Sequence, residues 1–418
     1  MLRPPAVPLS LEEPGRHRLG VFTTADLTAA GVTKAEVATA VRRGTWVRLR
    51  PGILVTAADL AEVERTGRRP GLDALAVTTT LGRPSAVLSG ATAAWVWGLP
   101  RPRSAGSVVE LTDPNRWRRG RGWLMTRAAL PDDEVTVRGA YPVTTAARTV
   151  VDAARSWAEV PAVAAIDAAL LRGLTTRDEL TRVVERQAYV PGIPRSVRAV
   201  ALADGRAESW LETYGRLTFA SLGLPPFVPQ VELRVEGRLV KVVDGWYPGP
   251  ALAVEFDGQV KYRRPSFERT PAEELWREKR VEDLLRSLGV QFVRVATEDL
   301  SGGRRALQER VRRSLARPGP VQREFQEVPR AEGRPRTDET GDDGWLPRVD
   351  DRVGASPTGR PGHVLPWVEP DSEGLSRVRT RLNPSEPGST RIRPPPPSAR
   401  AGGEDGARAQ QPGRRVAR

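Results

Sequence analysis

Glu212, Asp244, Glu255, Asp257 and Lys261 form an ordered series of four acids and a lysine, followed by a basic helix at Glu278 to Arg286. Carboxylates from one helix and two neighbouring strands can converge on a divalent cation, and a nearby lysine can meet the charge that develops on a phosphate. The series predicts metal-assisted phosphodiester hydrolysis. Magnesium takes oxygen ligands in near-octahedral geometry, so Asp244 and Glu255 are the expected Mg2+ ligands, with positions left for water and phosphate. Lys261 is placed to stabilise the transition state or orient the water. Glu255 and Asp257 share one side of a regular strand, because side chains repeat every second residue.

These residues need a scaffold, and the hydrophobic pattern supplies one. Ala207, Trp210, Leu211, Tyr214, Leu217, Ser221 and Leu222 recur at helical spacing, leaving Glu208, Glu212, Gly215 and Arg216 on another face. A strand over 228–235, a Glu236-Gly237 turn, a strand over 238–247, a Pro248-Gly249-Pro250 break and a strand over 251–256 predict a three-strand meander. A helix over 271–288, a strand over 290–295 and a closing helix over about 304–315 complete the order αβββαβ. A blander reading stays open. Acids in Asp-Gly at a strand end also serve turns, and Arg277, Lys279 and Arg280 with Glu278, Glu282 and Asp283 can be helix-face ion pairs.

Near the other end, Thr23-Thr24-Ala25-Asp26 and Thr33-Lys34-Ala35-Glu36 each give a Thr-x-x-acid helix start, in which the hydroxyl caps a free amide and the acid suits the positive helix end. Gly31 breaks between the two helices. Two alternating runs around Pro51-Gly52 then predict a hairpin. Helix, turn, helix and wing make a winged helix, in which Lys34, Arg42, Arg43, Arg48 and Arg50 are the expected DNA contacts. Winged helices also serve as protein contacts, and arginines on a short helix can be a solvated face.

Between strands expected at 108–112 and 123–126 lies Arg116-Trp117-Arg118-Arg119-Gly120-Arg121, a basic hairpin with an indole that could grip a phosphate backbone or simply be solvated. From Pro318 onward Pro, Gly, Arg and Asp dominate and large apolar residues are few, which predicts disorder. The expected organisation is an α/β multidomain chain: a flexible lead (1–18), a winged helix-turn-helix (19–58), a mixed α+β middle region (72–155), a helical bridge (156–200), an αβββαβ domain (203–317) and a disordered tail (318–418).

Two resemblances join these readings. VFTTADLTAAGVTKAEVATAVRRGTWVRLRPGILV resembles the N-terminal winged helix of the AbiEi family of type IV antitoxins, and LSGATAAWVWGLP with YPVTTAARTVVDAAR resembles the region that commonly follows it in actinobacterial members. Gly90 departs from that pattern, in which a polar residue or histidine often follows the serine. ESWLETYGR, GLPPFVPQ, VVDGWYP, LAVEFDG, WREKRVEDLLRSLG and VQFVRVATEDL resemble a bacterial domain of unknown function related to very-short-patch-repair endonucleases. That resemblance implies a PD-(D/E)XK, restriction-endonuclease-like fold. In it Glu212 is the helix acid, Asp244 the second-strand metal ligand, and Glu255 with Asp257 the third-strand pair. The lysine expected two residues after the acid is here Asp257, and related domains often have histidine at the position of Lys261, so Lys261 or Lys279 is expected to supply the cation.

The bulk numbers agree with a polyanionic partner. The formal net charge is +14, and clustered cations gain free energy by releasing counterions from nucleic acid. Only four of the 65 basic residues are lysines (Lys34, Lys241, Lys261 and Lys279), so an arginine-rich coding bias also contributes. About 17 basic and 15 acidic residues follow Pro318, which leaves the positive excess in the folded part. With no cysteine, disulfides, zinc fingers and a thiol nucleophile are excluded, and with only His17 and His363, both in segments read as flexible, histidine-dependent hydrolysis and histidine metal sites are not expected. No apolar run reaches the roughly 20 residues of a membrane span, and the first residues lack a signal-peptide pattern, so a cytoplasmic location is expected. The leading expectation is a DNA-binding protein with a Mg2+-dependent endonuclease domain. The alternative is an antitoxin-type repressor that binds its promoter or a cognate toxin and keeps an inactive nuclease-like fold.

Overall fold

The computed structural model describes residues 18–257 and 271–333. The expected lead and most of the expected tail lie outside the described residues, as does Lys261.

The first unit begins with β1 (Phe22–Thr23), α1 (Thr24–Ala29) and α2 (Lys34–Arg42), followed by β2 (Trp46–Arg50) and β3 (Ile53–Thr56). Thr23 and Asp26 cap α1 reciprocally, and Thr33 and Glu36 do the same for α2, which is how two such short helices are held. The strands form an antiparallel sheet in the order β1-β3-β2. Phe22, Leu27, Val37, Ala40, Trp46 and Leu54 pack beneath the helices as a small core of their own. α3 (Ala57–Arg65) and α4 (Arg69–Leu81) connect this unit to the next.

The middle region is a six-stranded sheet. Its strands are β4 (Val87–Leu88), β5 (Val109–Asp113), β6 (Arg118–Gly120), β7 (Trp123–Arg127), β8 (Val135–Arg138) and β9 (Tyr141–Thr144), in the order β6-β7-β5-β4-β9-β8. β5 and β7, which sequence places on either side of a hairpin, pair in parallel. The antiparallel hairpin is instead β6–β7, with β6 at the sheet edge.

α5 (Gly90–Val96) packs on this sheet and explains Gly90. The Ala91 amide donates to Glu110 Oε2 at 2.6 Å, and a Cβ on Gly90, whose φ is +53°, would fall 1.9 Å from that oxygen. A half-buried carboxylate thus occupies the space a larger side chain would need. Burial pushes the Glu110 pKa up, against the backbone amide and Arg101.

Four helices form the bridge: α6 (Ala146–Ser156), α7 (Glu159–Leu171), α8 (Arg177–Arg186) and α9 (Ile193–Leu202). α7 is buried along most of its length, as its apolar sequence requires. It carries one buried acid, Asp167, which accepts from Thr213 Oγ1 at 2.8 Å and pairs with Arg216 at 2.9 Å.

The last unit has α10 (Trp210–Ser221), β10 (Val228–Val235), β11 (Arg238–Tyr247), β12 (Leu252–Asp257), α11 (Pro271–Ser287), β13 (Gln291–Ala296), α12 (Thr297–Ser301) and α13 (Arg304–Leu315). β10, β11 and β12 are antiparallel neighbours, and β12 pairs with β13 in parallel.

The disordered tail expected from Pro318 needs correction at its start. β14 (Gln326–Pro329) pairs antiparallel with β10, giving the sheet order β13-β12-β11-β10-β14. Phe325 is buried against Trp246, and Arg330 pairs with Glu208 at 3.1 Å. The strand is held by these tertiary contacts, which composition does not register.

Candidate functional site

The residues to which sequence assigns chemistry fall in two clusters. In the last unit, α10 lies against β12 because Gly215 lets the Phe256 ring reach the helix backbone. A Cβ at Gly215 would stand 2.0 Å from that ring. Phe256 also packs on Phe219 and Phe227, with ring centroids 6.0 Å apart in each case. This aromatic wedge sets the level at which Glu212, one turn before Gly215, faces the strands.

The β11–β12 pairing runs through Tyr247↔Leu252, Trp246↔Ala253 and Gly245↔Val254, so the next position in register sets Asp244 opposite Glu255. Both are buried, at 3% and 8% exposure. Asp244 Oδ2 accepts the Phe256 amide at 2.8 Å. On β10 the position opposite Asp244 is Gln230, whose φ of +50° is unusual for a residue with a side chain. Gln230 is 1% exposed and donates its amide to Glu212 Oε2 at 2.8 Å. Such backbone strain at a cluster of buried polar groups persists only where the surroundings over-determine it.

Glu212 is engaged in a way the sequence does not foretell. Its Oε1 accepts from Ser209 Oγ at 2.8 Å and its Oε2 from the Glu208 amide at 2.9 Å, so the carboxylate closes the helix start as well as gripping Gln230. Among the described residues, Lys241 brings its Nζ to 3.5 Å from Glu255 Oε2. The pairing of β10 with β11 shifts between Leu233↔Lys241 and Arg234↔Leu239, a bulge beside Lys241. Bulges bend a strand and re-aim the side chains next to them. Strict alternation sends Lys241 to the face opposite Asp244 and therefore misses it.

Lys279, the other candidate cation, is exposed and lies 5.9 Å from the Trp276 ring, with no ion pair to the site acids among the described residues. Asp257 is half-exposed and lies 3.8 Å from Arg294, which also pairs with Glu282. Gln230 and Lys241 are thus the two site residues that sequence reasoning passed over. A Pro-Gln pair inside an alternating strand was the available signal for the first.

Asp244 and Glu255 fit magnesium by donor type, since that ion is commonly held by one or two carboxylates and completed by water and phosphate. Among the described residues no group of three or more His, Cys, Asp or Glu is arranged to hold a metal. Glu212 is engaged by Ser209, the Glu208 amide and Gln230.

In the N-terminal unit Lys34, Arg42, Arg43 and Arg48 are exposed or half-exposed. Lys34 begins α2, while Arg42 ends it and donates to Thr39 Oγ1 at 3.0 Å. Arg48 projects from β2. Arg50 departs from this group. It is half-buried and donates to the Arg121 carbonyl at 3.0 Å, which ties the wing to the β6–β7 turn. Loss of water around its guanidinium lowers its pKa, with Asp73 acting in the other direction.

Residues 15–57 match the AbiEi antitoxin family of transcriptional regulators. The match covers the helices and hairpin that carry Lys34, Arg42, Arg43, Arg48 and Arg50. Two uncharacterised proteins from two strains of Mycobacterium tuberculosis are each 27% identical over 288 residues, covering 68% of this chain and 98% of the relative. A crystal structure of the RV2827C protein from Mycobacterium tuberculosis is 17% identical and covers 46% of this chain and 75% of its own, with a TM-score of 0.32, a likeness too loose to place residues. Among the described residues no helix is long and apolar enough to cross a membrane.

Proposed function

We propose that this chain is a DNA-binding transcriptional regulator of the AbiEi antitoxin type, with its N-terminal winged helix on the DNA. The observation that carries the reading is the match over 15–57, on a module whose second helix and wing present Lys34, Arg42, Arg43 and Arg48. In a winged helix the second helix enters the major groove and the wing meets the backbone. Arg42 and Arg43 are then assigned to base edges or flanking phosphates, Lys34 and Arg48 to phosphates. A promoter of its own gene and a cognate toxin are the partners this reading names.

A second activity is favoured by one arrangement: Asp244 and Glu255 facing each other across β11 and β12, with Lys241 beside Glu255. The order αβββαβ of α10 to β13 supports a PD-(D/E)XK-like reading of this unit. Asp244 and Glu255 would hold Mg2+, which when bound supplies a Lewis acid for a phosphodiester. Lys241 offers charge stabilisation, and Gln230 with Glu212 keeps the strand level. Asp257 is assigned to the rim with Arg294. Lys261, which follows on the chain, keeps its sequence-based assignment as a second cation.

One experiment addresses both readings. Duplexes bound by the full chain are selected from a random pool, and binding and Mg2+-dependent nicking of supercoiled plasmid are measured for wild type, Arg42→Gln/Arg43→Gln, Asp244→Ala and Glu255→Ala. Loss of DNA binding in the arginine variant alone, with no nicking by any protein, supports a regulator with an inactive C-terminal unit. Nicking by wild type that Asp244→Ala and Glu255→Ala abolish establishes the second activity. Binding unchanged by the arginine substitutions would refute the winged-helix reading.

A further inference from the structure

The winged helix is a narrow platform, yet Arg50 joins it to a second cationic element. Its guanidinium reaches 71 residues along the chain to the Arg121 carbonyl, at the turn of the β6–β7 hairpin. Arg116, Arg118, Arg119, Arg121 and Arg127 are all exposed there, and Trp117 is 66% exposed. Among the described residues no acid pairs with Arg116, Arg118, Arg119 or Arg121, although arginine side chains elsewhere in the molecule are widely paired.

The segment is also held in place. Asp113, fully buried at the end of β5, accepts the amides of Asn115 at 2.8 Å and Arg116 at 3.0 Å. Asp113 is itself fixed by Arg83 and by Ser85 Oγ at 2.7 Å. The chain therefore leaves the sheet in a set direction immediately before Trp117. Farther along, Gly120 lies over the Trp123 indole, where a Cβ would come within 2.4 Å, and the Arg118 guanidinium lies 5.9 Å from the same ring. A cationic strand braced at both ends presents its charges with little ordering entropy left to lose on binding.

We propose that the hairpin over residues 115–127 is a second DNA-contacting element, which grips duplex phosphates flanking the segment met by the wing. The inference rests on the DNA-binding reading and extends it to residues outside the matched family region. Its occupant is duplex DNA because the hairpin adjoins the wing through Arg50–Arg121 and carries the charge that phosphates complement. Trp117 lies against the sugar–phosphate edge, where a flat apolar ring covers deoxyribose while the neighbouring arginines pair with phosphates. Charges on an edge strand also discourage pairing with other chains. That role alone would leave DNA affinity untouched when the charges are removed.

The test uses the full chain and fluorescein-labelled duplexes selected by the wild-type protein, with anisotropy read across a potassium chloride series and hydroxyl-radical footprints of the same complexes. R116Q/R118Q/R119Q is expected to bind about tenfold or more weakly and to lower the salt slope by about 2 to 3, close to one for each phosphate no longer neutralised. W117A is expected to weaken binding roughly fivefold, the low end of what an aromatic contact to nucleic acid contributes. Protection should shrink on one flank only.

Wild-type affinity, slope and footprint in both hairpin variants, with R42Q/R43Q binding abolished, would overturn the hairpin assignment and leave the winged-helix reading standing. Wild-type binding by R42Q/R43Q would overturn the winged-helix reading and, with it, the flanking role of the hairpin.

Discussion

Lys34, Arg42 and Arg48 face solvent on the N-terminal module, whereas Asp244 and Glu255 are buried and their cluster is crossed by hydrogen bonds from neighbouring elements. The first set costs the fold little to keep, because an exposed cation stays hydrated until a phosphate replaces its counterions. The second set is part of the fold, since a buried carboxylate must be met by donors or neighbouring charge. Substitutions should therefore separate the two regions: removing a surface cation alters binding at constant stability, and removing a buried charged group alters stability first.

The largest effect expected on the interior side comes from Arg330→Ala. Arg330 is 6% exposed at its side chain and pairs with Glu208 at 3.1 Å, with Glu232 at 3.7 Å. Removing one partner of a buried pair typically costs about 3–5 kcal/mol. Urea unfolding should show a loss of that order, and an unchanged midpoint would mean that β14 is not anchored through this residue. DNA affinity of the folded protein should stay at the wild-type level.

A smaller effect is expected from acidity. Burial pushes the Asp167 carboxyl up to about 6, against the opposing pull of Arg216 and the Asp204 amide. The folded pKa is then above the unfolded value, so this group's contribution to stability is fully present below about pH 4 and is lost as pH rises through about 6. The span corresponds to about 3 kcal/mol. Asp167→Asn should flatten this part of the stability profile between pH 4 and 6. A profile of unaltered slope would assign the dependence to other groups.

The smallest effect expected lies on the surface side. Thr33→Ala removes the hydroxyl that caps α2 through the Glu36 amide, a loss of about 1 kcal/mol. Because Lys34 sits in the first turn of that helix, affinity for DNA should fall modestly alongside the drop in thermal midpoint. A stability loss with no change in DNA affinity would move Lys34 away from the contact surface.

The two regions also differ in how far they can be read from sequence. The capping boxes at Thr23 and Thr33 announce α1 and α2 because the motif is local, requiring only residues three apart. The strands β10 to β13 are equally legible, since alternation and the turns at Glu236-Gly237 and Pro248-Gly249 mark them within about one residue. What sequence does not show depends on contacts distant along the chain. β14 owes its place to Phe325 on Trp246 and Arg330 on Glu208. Lys241 reaches Glu255 beside a bulge, and Gln230 occupies its position through a backbone turn that no periodicity encodes. The parallel pairing of β5 with β7 escapes for a similar reason, because β6 slips in between them along the chain and takes the hairpin for itself.

The placement of β14 has a consequence during synthesis. Its partner β10 ends at Val235, and β14 begins at Gln326, so about 91 residues must be translated between them. At about 5–20 residues per second that is roughly 5–20 s in which β10 has an open edge on the nascent chain. An open strand edge is a template for another chain. The N-terminal module is already complete at that stage, so on a polysome neighbouring copies would carry finished N-terminal modules beside unfinished sheets. Any form of the protein ending before Gln326 would keep that edge exposed permanently.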